Sequence, residues 1–292
     1  MKRILTLACA VPLLACFTGL AMAKPLQVVA AESVYGDIAR QVGGSDVEVT
    51  SILSNPDQDP HLFETSPSTA RALSGADVVV YNGADYDPWM DKLVAANKGR
   101  SGRAMLIVAD LSGHKTGDNP HLWYEVDAVR KTAAALADAF VRLDPSHEAA
   151  FRKRAEEFDG AVEALDSRIG TMKARFAGVP VTATEPVFGY MAEELGLEMR
   201  NARFQMSVMN ETEPSASDLA AFQDDLKGRK VRALIYNDQV SDQMTSSLLD
   251  LAKTSGIPVV GVTETEPSGL SYQNWMAGRL DALEQALKAN PQ

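Results

Sequence analysis

The sequence predicts an α/β protein built as two parallel-sheet βα lobes joined by one long rigid helix. Three observations carry that expectation. Short runs rich in Val, Ile and Ala alternate with helical stretches along the first half of the chain, the pattern that places helices on both faces of a parallel sheet. After Pro145 an Ala-, Glu-, Arg- and Lys-rich stretch continues to about Phe176 without a further proline, which is long for a globular helix. Strand and helix then alternate again to the end of the chain.

The elements follow in order. Met1-Lys2-Arg3, an apolar run from Ile4 to about Leu20, and Ala21-Met22-Ala23 form the basic, apolar and small-x-small regions of an export signal, so residues 1–23 are expected to be removed. Leu13-Leu14-Ala15-Cys16 offers a rival, lipid anchoring at Cys16. It is the weaker reading, because Phe17 to Ala23 is apolar and ends in a peptidase site rather than leading into a polar tether. Cys9 and Cys16 are the two cysteines of the chain. A protein cut after Ala23 has no thiol, which excludes disulfides, cysteine-ligated zinc and thiol catalysis.

Residues 24–143 form the expected N-terminal lobe. Strands are expected over 26–30, 47–53, 78–82 and 105–109, with helices over 34–42, 67–74, 88–96 and 128–143. Gly43-Gly44 closes the first helix, and Pro67 and Pro88 sit where a first helical turn tolerates proline. Residues 144–177 form the linking helix, opened by Asp144-Pro145-Ser146 with Glu148 in its first turn. Residues 178–292 form the C-terminal lobe, with strands over 179–184, 231–237 and 259–263 and helices over 188–195, 217–226, 242–254 and 272–289. The length and the 46% hydrophobic content suffice for two domains, each with its own core.

The formal net charge is −11 and falls to −13 once Lys2 and Arg3 leave with the signal. Such a surface repels nucleic acid and anionic lipid and mildly concentrates cations. No segment after the signal approaches the roughly 20 apolar residues a membrane span needs. Neither a nucleic-acid partner nor direct membrane insertion is expected, and the chain is expected to act as a monomer.

The chemistry-bearing residues stand out against this background. Pro60-His61-Leu62-Phe63 and Pro120-His121-Leu122-Trp123 nearly repeat each other and use two of only four histidines. Proline holds each of these histidines in a rigid, non-helical loop, which suits a metal ligand or a catalytic base. Functional groups in open α/β sheets collect at the carboxyl ends of strands, where His61, His121, Glu185 and Glu264 are expected. They are separated by 60, 64 and 79 residues, two from each lobe, so a shared site would lie in the cleft between lobes. Two imidazoles and two carboxylates suit one divalent first-row ion, Mn²⁺, Zn²⁺ or Fe²⁺. Glu266 competes with Glu264 for the last place. His114 and His147 read as ordinary solvated side chains, and Asp85 and Asp87, flanking Tyr86, as exposed. Trp89, Trp123 and Trp275 read as core.

Several motifs in order resemble the zinc/manganese class of solute-binding proteins that serve ABC importers. They are Asp59-Pro60-His61-Leu62-Phe63-Glu64 before Pro67-Ser68, then 77–83 with Trp89-Met90-Asp91-Lys92-Leu93, then Asn119-Pro120-His121-Leu122-Trp123. Thr184-Glu185-Pro186-Val187-Phe188-Gly189-Tyr190, Glu213-Pro214-Ser215 and Ser271-Tyr272-Gln273-Asn274-Trp275-Met276 continue the resemblance over the rest of the chain. It implies an ion buried between the lobes and delivered to a membrane permease. By motif position His61 and His121 match the class's N-lobe histidines, and Glu185 falls where members carry histidine or glutamate. Glu264 stands where members usually carry aspartate. The short 111–118 loop holds one histidine, and Tyr236-Asn237-Asp238-Gln239 stands where many members have an acidic residue. Both departures tilt the expected ion toward manganese or iron. The chain is thus expected to bind and not to catalyse. The alternatives are a metal-dependent hydrolase using the same cluster and an adhesin or chelate-binding protein on the same scaffold.

Overall fold

The computed structural model describes residues 24–55, 63–97, 99–240 and 242–289. The expected export signal and His61 lie outside them. Strand β1 (Leu26–Glu32) runs into helix α1 (Ser33–Gly43), followed by β2 (Val47–Leu53), α2 (Pro67–Gly75) and β3 (Val78–Tyr81). Helix α3 (Pro88–Ala96), β4 (Ala104–Ile107), the short α4 (Val108–Ser112) and α5 (Val126–Leu143) complete the first lobe. After α6 (Glu148–Phe176) come β5 (Pro180–Ala183), α7 (Gly189–Glu194), β6 (Glu198–Arg200), α8 (Ala202–Met209) and α9 (Ala216–Lys227). Strand β7 (Leu234–Asn237), α10 (Gln243–Thr254), β8 (Val259–Val262) and α11 (Tyr272–Ala289) close the second lobe.

Each lobe holds a four-stranded sheet, ordered β2-β1-β3-β4 in the first and β6-β5-β7-β8 in the second. All pairings are parallel. The same strand order in both lobes puts a switch of winding direction between β1 and β3 and again between β5 and β7, where α/β folds open a crevice at the strand carboxyl ends. Glu32, Asn82, Glu185 and Asn237 stand at these four ends. The repetition is also local: Glu32-Ser33-Val34-Tyr35-Gly36 corresponds to Glu185-Pro186-Val187-Phe188-Gly189, and Tyr81-Asn82 to Tyr236-Asn237. The chain thus echoes itself beyond the doubled Pro-His-Leu motif.

Two local expectations need correction. The chain turns helical at Val108, so β4 ends at Ile107 and not at residue 109. Strand β6 and helix α8 were not anticipated, because β6 is a three-residue edge strand reading Glu-Met-Arg, too short and too polar to carry a strand pattern.

Helix α6 explains how the lobes are held. Over its 29 residues it buries Phe151, Phe158, Val162, Leu165, Ile169, Met172 and Phe176, spaced by three, four or seven, which is one face of a helix. Each such side chain contributes about 1.5–3 kcal/mol when fully buried. Its partners are α1 and α5 in the first lobe and α11 in the second. Polar ties fix both ends: the Arg154 Nε donates to the Val42 carbonyl at 2.8 Å, and Arg168 Nη1 donates to the Ala277 carbonyl at 3.2 Å. The main core is accordingly continuous, running from Val28 and Tyr35 through Phe158 and Leu165 to Val181, Ile235 and Trp275. Smaller clusters around Val79 and Met90, and around Phe204 and Phe222, fill the outer faces. The expectation of a separate core per lobe is revised: each sheet packs on helices of its own lobe, α1 in the first and α11 in the second, and α6 packs against both of those helices, which makes one cluster of the two cores.

Candidate metal centre

His121 precedes a single 3-10 turn, Leu122–Tyr124, and its backbone is neither helical nor extended (φ −80°, ψ 57°). Asn119 presets the ring. Its Oδ1 accepts from the His121 backbone N–H at 3.2 Å and lies 2.7 Å from Nδ1. This network assigns the proton to Nδ1 and leaves Nε2 as the lone-pair nitrogen. His121 is 1% exposed, and Nε2 has no hydrogen-bond partner among the described residues. It faces Glu264 Oε2 at 3.5 Å. A buried lone pair set against a carboxylate oxygen is repulsive unless a cation joins them.

Glu264 lies two residues past β8 and is 1% exposed. Gln239 Oε1 accepts from the backbone N–H groups of Glu264 at 2.5 Å and Thr265 at 3.0 Å. From the first lobe, Tyr86 Oη donates to Glu264 Oε2 at 3.0 Å. Burial, and next the charge of Glu264, push the Tyr86 hydroxyl well above its usual range, so it stays a donor. The Tyr86 ring stands edge-on to His121 and Trp123, with centroids 5.9 and 4.9 Å apart. A strained turn delivers it there: Ala84 and Asp85 have φ of 51° and 64°, and Asp87 closes the turn by accepting from the N–H groups of Asn82 and Gly83 at 2.8 Å.

Glu185 lies two residues past β5, just before the 3-10 turn Pro186–Phe188, and is 5% exposed. Asn237, at the end of β7, ties it to Glu264. One Nδ2 donates to Glu185 Oε2 at 2.5 Å and to Glu264 Oε1 at 2.7 Å. The Asn237 Oδ1 accepts from Gln239 N–H at 3.1 Å, which sets the amide orientation. Across the cleft, Asn119 Nδ2 donates to the Pro186 carbonyl at 2.8 Å. A Cβ on Gly189 would lie 2.8 Å from that nitrogen, so glycine is required for the approach. Asn82 plays the matching part in the first lobe, donating to the Pro120 carbonyl at 2.8 Å and accepting from Tyr35 Oη at 2.5 Å.

The structure thus brings His121 and Glu264 into contact and links Glu185 to them through Asn237. Among the described residues, no three His, Cys, Asp or Glu side chains by themselves close into a metal-holding group. Glu266 points elsewhere. Its N–H donates to Ser33 Oγ at 3.2 Å, and its carboxyl, pushed up to about 9 by burial, lines a cleft with Ser33, Arg40 and Ser51.

Other expectations are revised. Asp87 is 1% exposed and not a surface residue, because it closes the Tyr86 turn. Burial raises its carboxyl to about 6, while neighbouring Glu32, also buried, is pushed well above its usual range by burial and then by the Asp87 charge. His114 is half-buried and not a free surface side chain: it lies 2.7 Å from Glu125 Oε2, and its ring rests against Tyr190. Asp85 and His147 are at the surface, and Trp123 and Trp275 are buried. Tyr86, Asn119, Asn237 and Gln239 were not anticipated as contributors to the site. Their nearness to the histidine motif and to the strand ends was the available signal.

A profile of the family described as zinc-uptake complex component A, periplasmic, matches residues 28–286. The chain belongs to this family. Two similar proteins outline how this zinc-uptake family member relates to known ones. A manganese ABC transporter substrate-binding lipoprotein of Streptococcus mitis is 24% identical over 301 residues, covering 94% of this chain and 94% of that protein. An iron ABC transporter substrate-binding lipoprotein of Streptococcus pyogenes serotype M1 is 25% identical, covering 92% and 91%. The solved periplasmic zinc-binding protein TroA of Treponema pallidum superposes with a TM-score of 0.76 at 20% identity, covering 90% of this chain and 99% of that one. That likeness establishes the fold of this family member: two parallel-sheet lobes on one long helix. No helix among its described residues is long and apolar enough to cross a membrane.

Proposed function

We propose that His61, His121, Glu185 and Glu264 together hold one divalent transition-metal ion in the cleft between the lobes. The carrying observation is the buried Nε2 of His121, which has no hydrogen-bond partner among the described residues and lies 3.5 Å from Glu264 Oε2. Neutral imidazole and carboxylate are the donors that Zn²⁺, Mn²⁺ and Fe²⁺ accept. Asn119, Tyr86 and Asn237 supply the outer hydrogen bonds that orient such ligands. Glu264, not Glu266, is the fourth ligand, since only its carboxylate reaches His121.

The chain is the extracytoplasmic solute-binding component of a metal-ion ABC importer and not an enzyme. It captures the ion outside the cytoplasm and passes it to the membrane permease as cargo. The similar proteins named for manganese and iron, together with a family named for zinc uptake, support a divalent first-row ion. The chain acts as a monomer, with residues 24–143 and 178–292 as the two ligand-bearing lobes and 144–177 as the strut. Neither the hydrolase nor the adhesin reading is favoured by a feature of the site.

The test is thermal denaturation of the exported, demetallated protein with and without Mn²⁺, Zn²⁺ and Fe²⁺. A ligand that binds only the folded state raises the melting temperature with concentration. No shift with any of the three ions would overturn the proposal.

A further inference from the structure

We propose that Asn119 couples closure of the two lobes to the aim of the His121 imidazole, so that parting the lobes frees the ring and releases the ion. The inference rests on His121 being a ligand, as proposed above, and names what controls its hold. The bonds of Asn119 divide between the lobes. Within its own lobe, Oδ1 accepts from the His121 backbone N–H at 3.2 Å and lies 2.7 Å from Nδ1. Across the cleft, Nδ2 donates to the Pro186 carbonyl at 2.8 Å, and the Asn119 carbonyl accepts from Tyr190 Oη at 2.6 Å. Pro186 opens the turn just past Glu185, and Tyr190 stands in the first turn of α7. One short segment of the second lobe therefore carries the Glu185 carboxylate and grips the residue that aims His121.

Tyr190 is itself held in place. Its ring rests against His114, with centroids 5.2 Å apart, and His114 is fixed by Glu125 Oε2 at 2.7 Å. His114 Nδ1 lies 3.4 Å from the Tyr190 hydroxyl, farther than the Asn119 carbonyl at 2.6 Å, so the hydroxyl proton goes to Asn119.

A small motion undoes the grip. Separating the lobes by about 1 Å takes both cross-cleft bonds past the range in which a hydrogen bond holds. An amide released from Pro186 no longer keeps the His121 proton on Nδ1, and the imidazole is free to take its other tautomer. The proton on Nε2 then faces Glu264 Oε2, 3.5 Å away. It occupies the lone pair on which the ion depends. Closing the lobes reverses each step, so the ion is held while Asn119 is gripped.

Gly189 offers a wedge for this contact. Its backbone is helical (φ −59°, ψ −51°), a conformation alanine adopts freely. Among the described residues, a Cβ there would meet Asn119 Nδ2 alone, at 2.8 Å. Gly189→Ala thus pushes the amide off Pro186 while leaving every hydrogen-bonding group in the chain.

The experiment measures the dissociation constant and release rate of Zn²⁺ by chelator competition. It uses the exported, demetallated protein and its Gly189→Ala, Tyr190→Phe, Asn119→Ala, His121→Ala and combined Tyr190→Phe and Asn119→Ala variants. Gly189→Ala and Tyr190→Phe are each expected to weaken binding and speed release by roughly tenfold, in the range for losing an outer hydrogen bond. The combined variant should bind no more weakly than Asn119→Ala, because Tyr190 acts through Asn119. Nitrogen NMR of the metal-free protein should place the His121 proton on Nδ1 in the wild type and share it between the ring nitrogens in Gly189→Ala and Tyr190→Phe. Wild-type release and ring proton in both of these, with His121→Ala losing the ion, overturn the coupling and leave the ligand set standing. Losses that add in the combined variant overturn it as well. Undiminished binding by His121→Ala overturns the ligand set and this proposal with it. Should Asn119→Ala fail to fold, Gly189→Ala decides by its release rate and ring proton.

Discussion

Tyr124 Oη donates to the carbonyl of Thr263 at 2.8 Å, so an aromatic three residues past His121 pins the residue before Glu264. The bond crosses from one lobe to the other. Around it, the Tyr124 ring meets Phe188 and Trp275 edge-on, at centroid distances of 5.2 and 5.6 Å. The relative position of the His121 imidazole and the Glu264 carboxylate is thus set by a side-chain-to-backbone tie between neighbouring residues as well as by α6.

Removing that tie by Tyr124→Phe is expected to lower stability by about 1–2 kcal/mol, the cost of leaving a buried carbonyl unpaired. Metal affinity should fall as well, although the Tyr124 hydroxyl bonds the backbone of Thr263 and not a proposed ligand. Calorimetric melting and a zinc titration on the variant check this. An unchanged affinity would mean that α6 alone fixes the lobes.

Metal binding should weaken as pH falls from 7.5 to 5, because protons compete with the ion for imidazole nitrogens. His121→Ala and Glu264→Gln are expected to reduce affinity by at least about tenfold, whereas Glu266→Gln should leave it nearly unchanged. Isothermal titration of the three variants separates these outcomes, and a loss confined to Glu266→Gln would reassign the fourth ligand.

The buried Glu32 and Asp87 carboxyls make stability depend on pH in a defined direction. Both are raised in the folded protein, Asp87 from 3.8 to about 6. Between the unfolded and folded values the folded state binds more protons, so their contribution is full below about pH 4 and is lost as pH rises through the folded values. Glu32→Gln keeps the shape and removes one charge. Its stability relative to wild type should improve with rising pH, as read by urea denaturation at pH 4.5 and 8. An equal difference at the two pH values would show that the pair does not share a proton.

Gly160 and Gly170 are exposed positions within α6, and a Cβ at either would meet nothing within 4 Å. Gly160→Ala and Gly170→Ala should each stabilise the protein by about 0.5–1 kcal/mol through the lower entropy of the unfolded chain. Melting temperatures of the single and double variants test this, with additive gains expected.

Most of the fold was legible in the residues because burial writes itself as pattern. The Val-rich runs of β1 and β3 and the one-sided stripe of α6 are such patterns, and Pro67 and Pro88 mark helix starts. Strand β6 escaped notice because an edge strand of three residues buries too little to impose a pattern. In the site, His121, Glu185 and Glu264 were legible as motif residues. Asn237, Tyr86 and Asn119 were not, since a lone amide or phenol carries no spacing that distinguishes it from any loop residue.

The sequence by itself determined the class of protein: two βα lobes on a long helix, with a histidine from a proline-stiffened loop and acids after strands. Local periodicity and the fixed φ of proline suffice for that, because they act between near neighbours. Only the tertiary structure decided which acid faces His121, how Asn237 spans Glu185 and Glu264, and that one core runs through both lobes. Those relations join residues 27 to 143 positions apart, and such contacts are set by how whole sheets and helices pack, which no local pattern encodes.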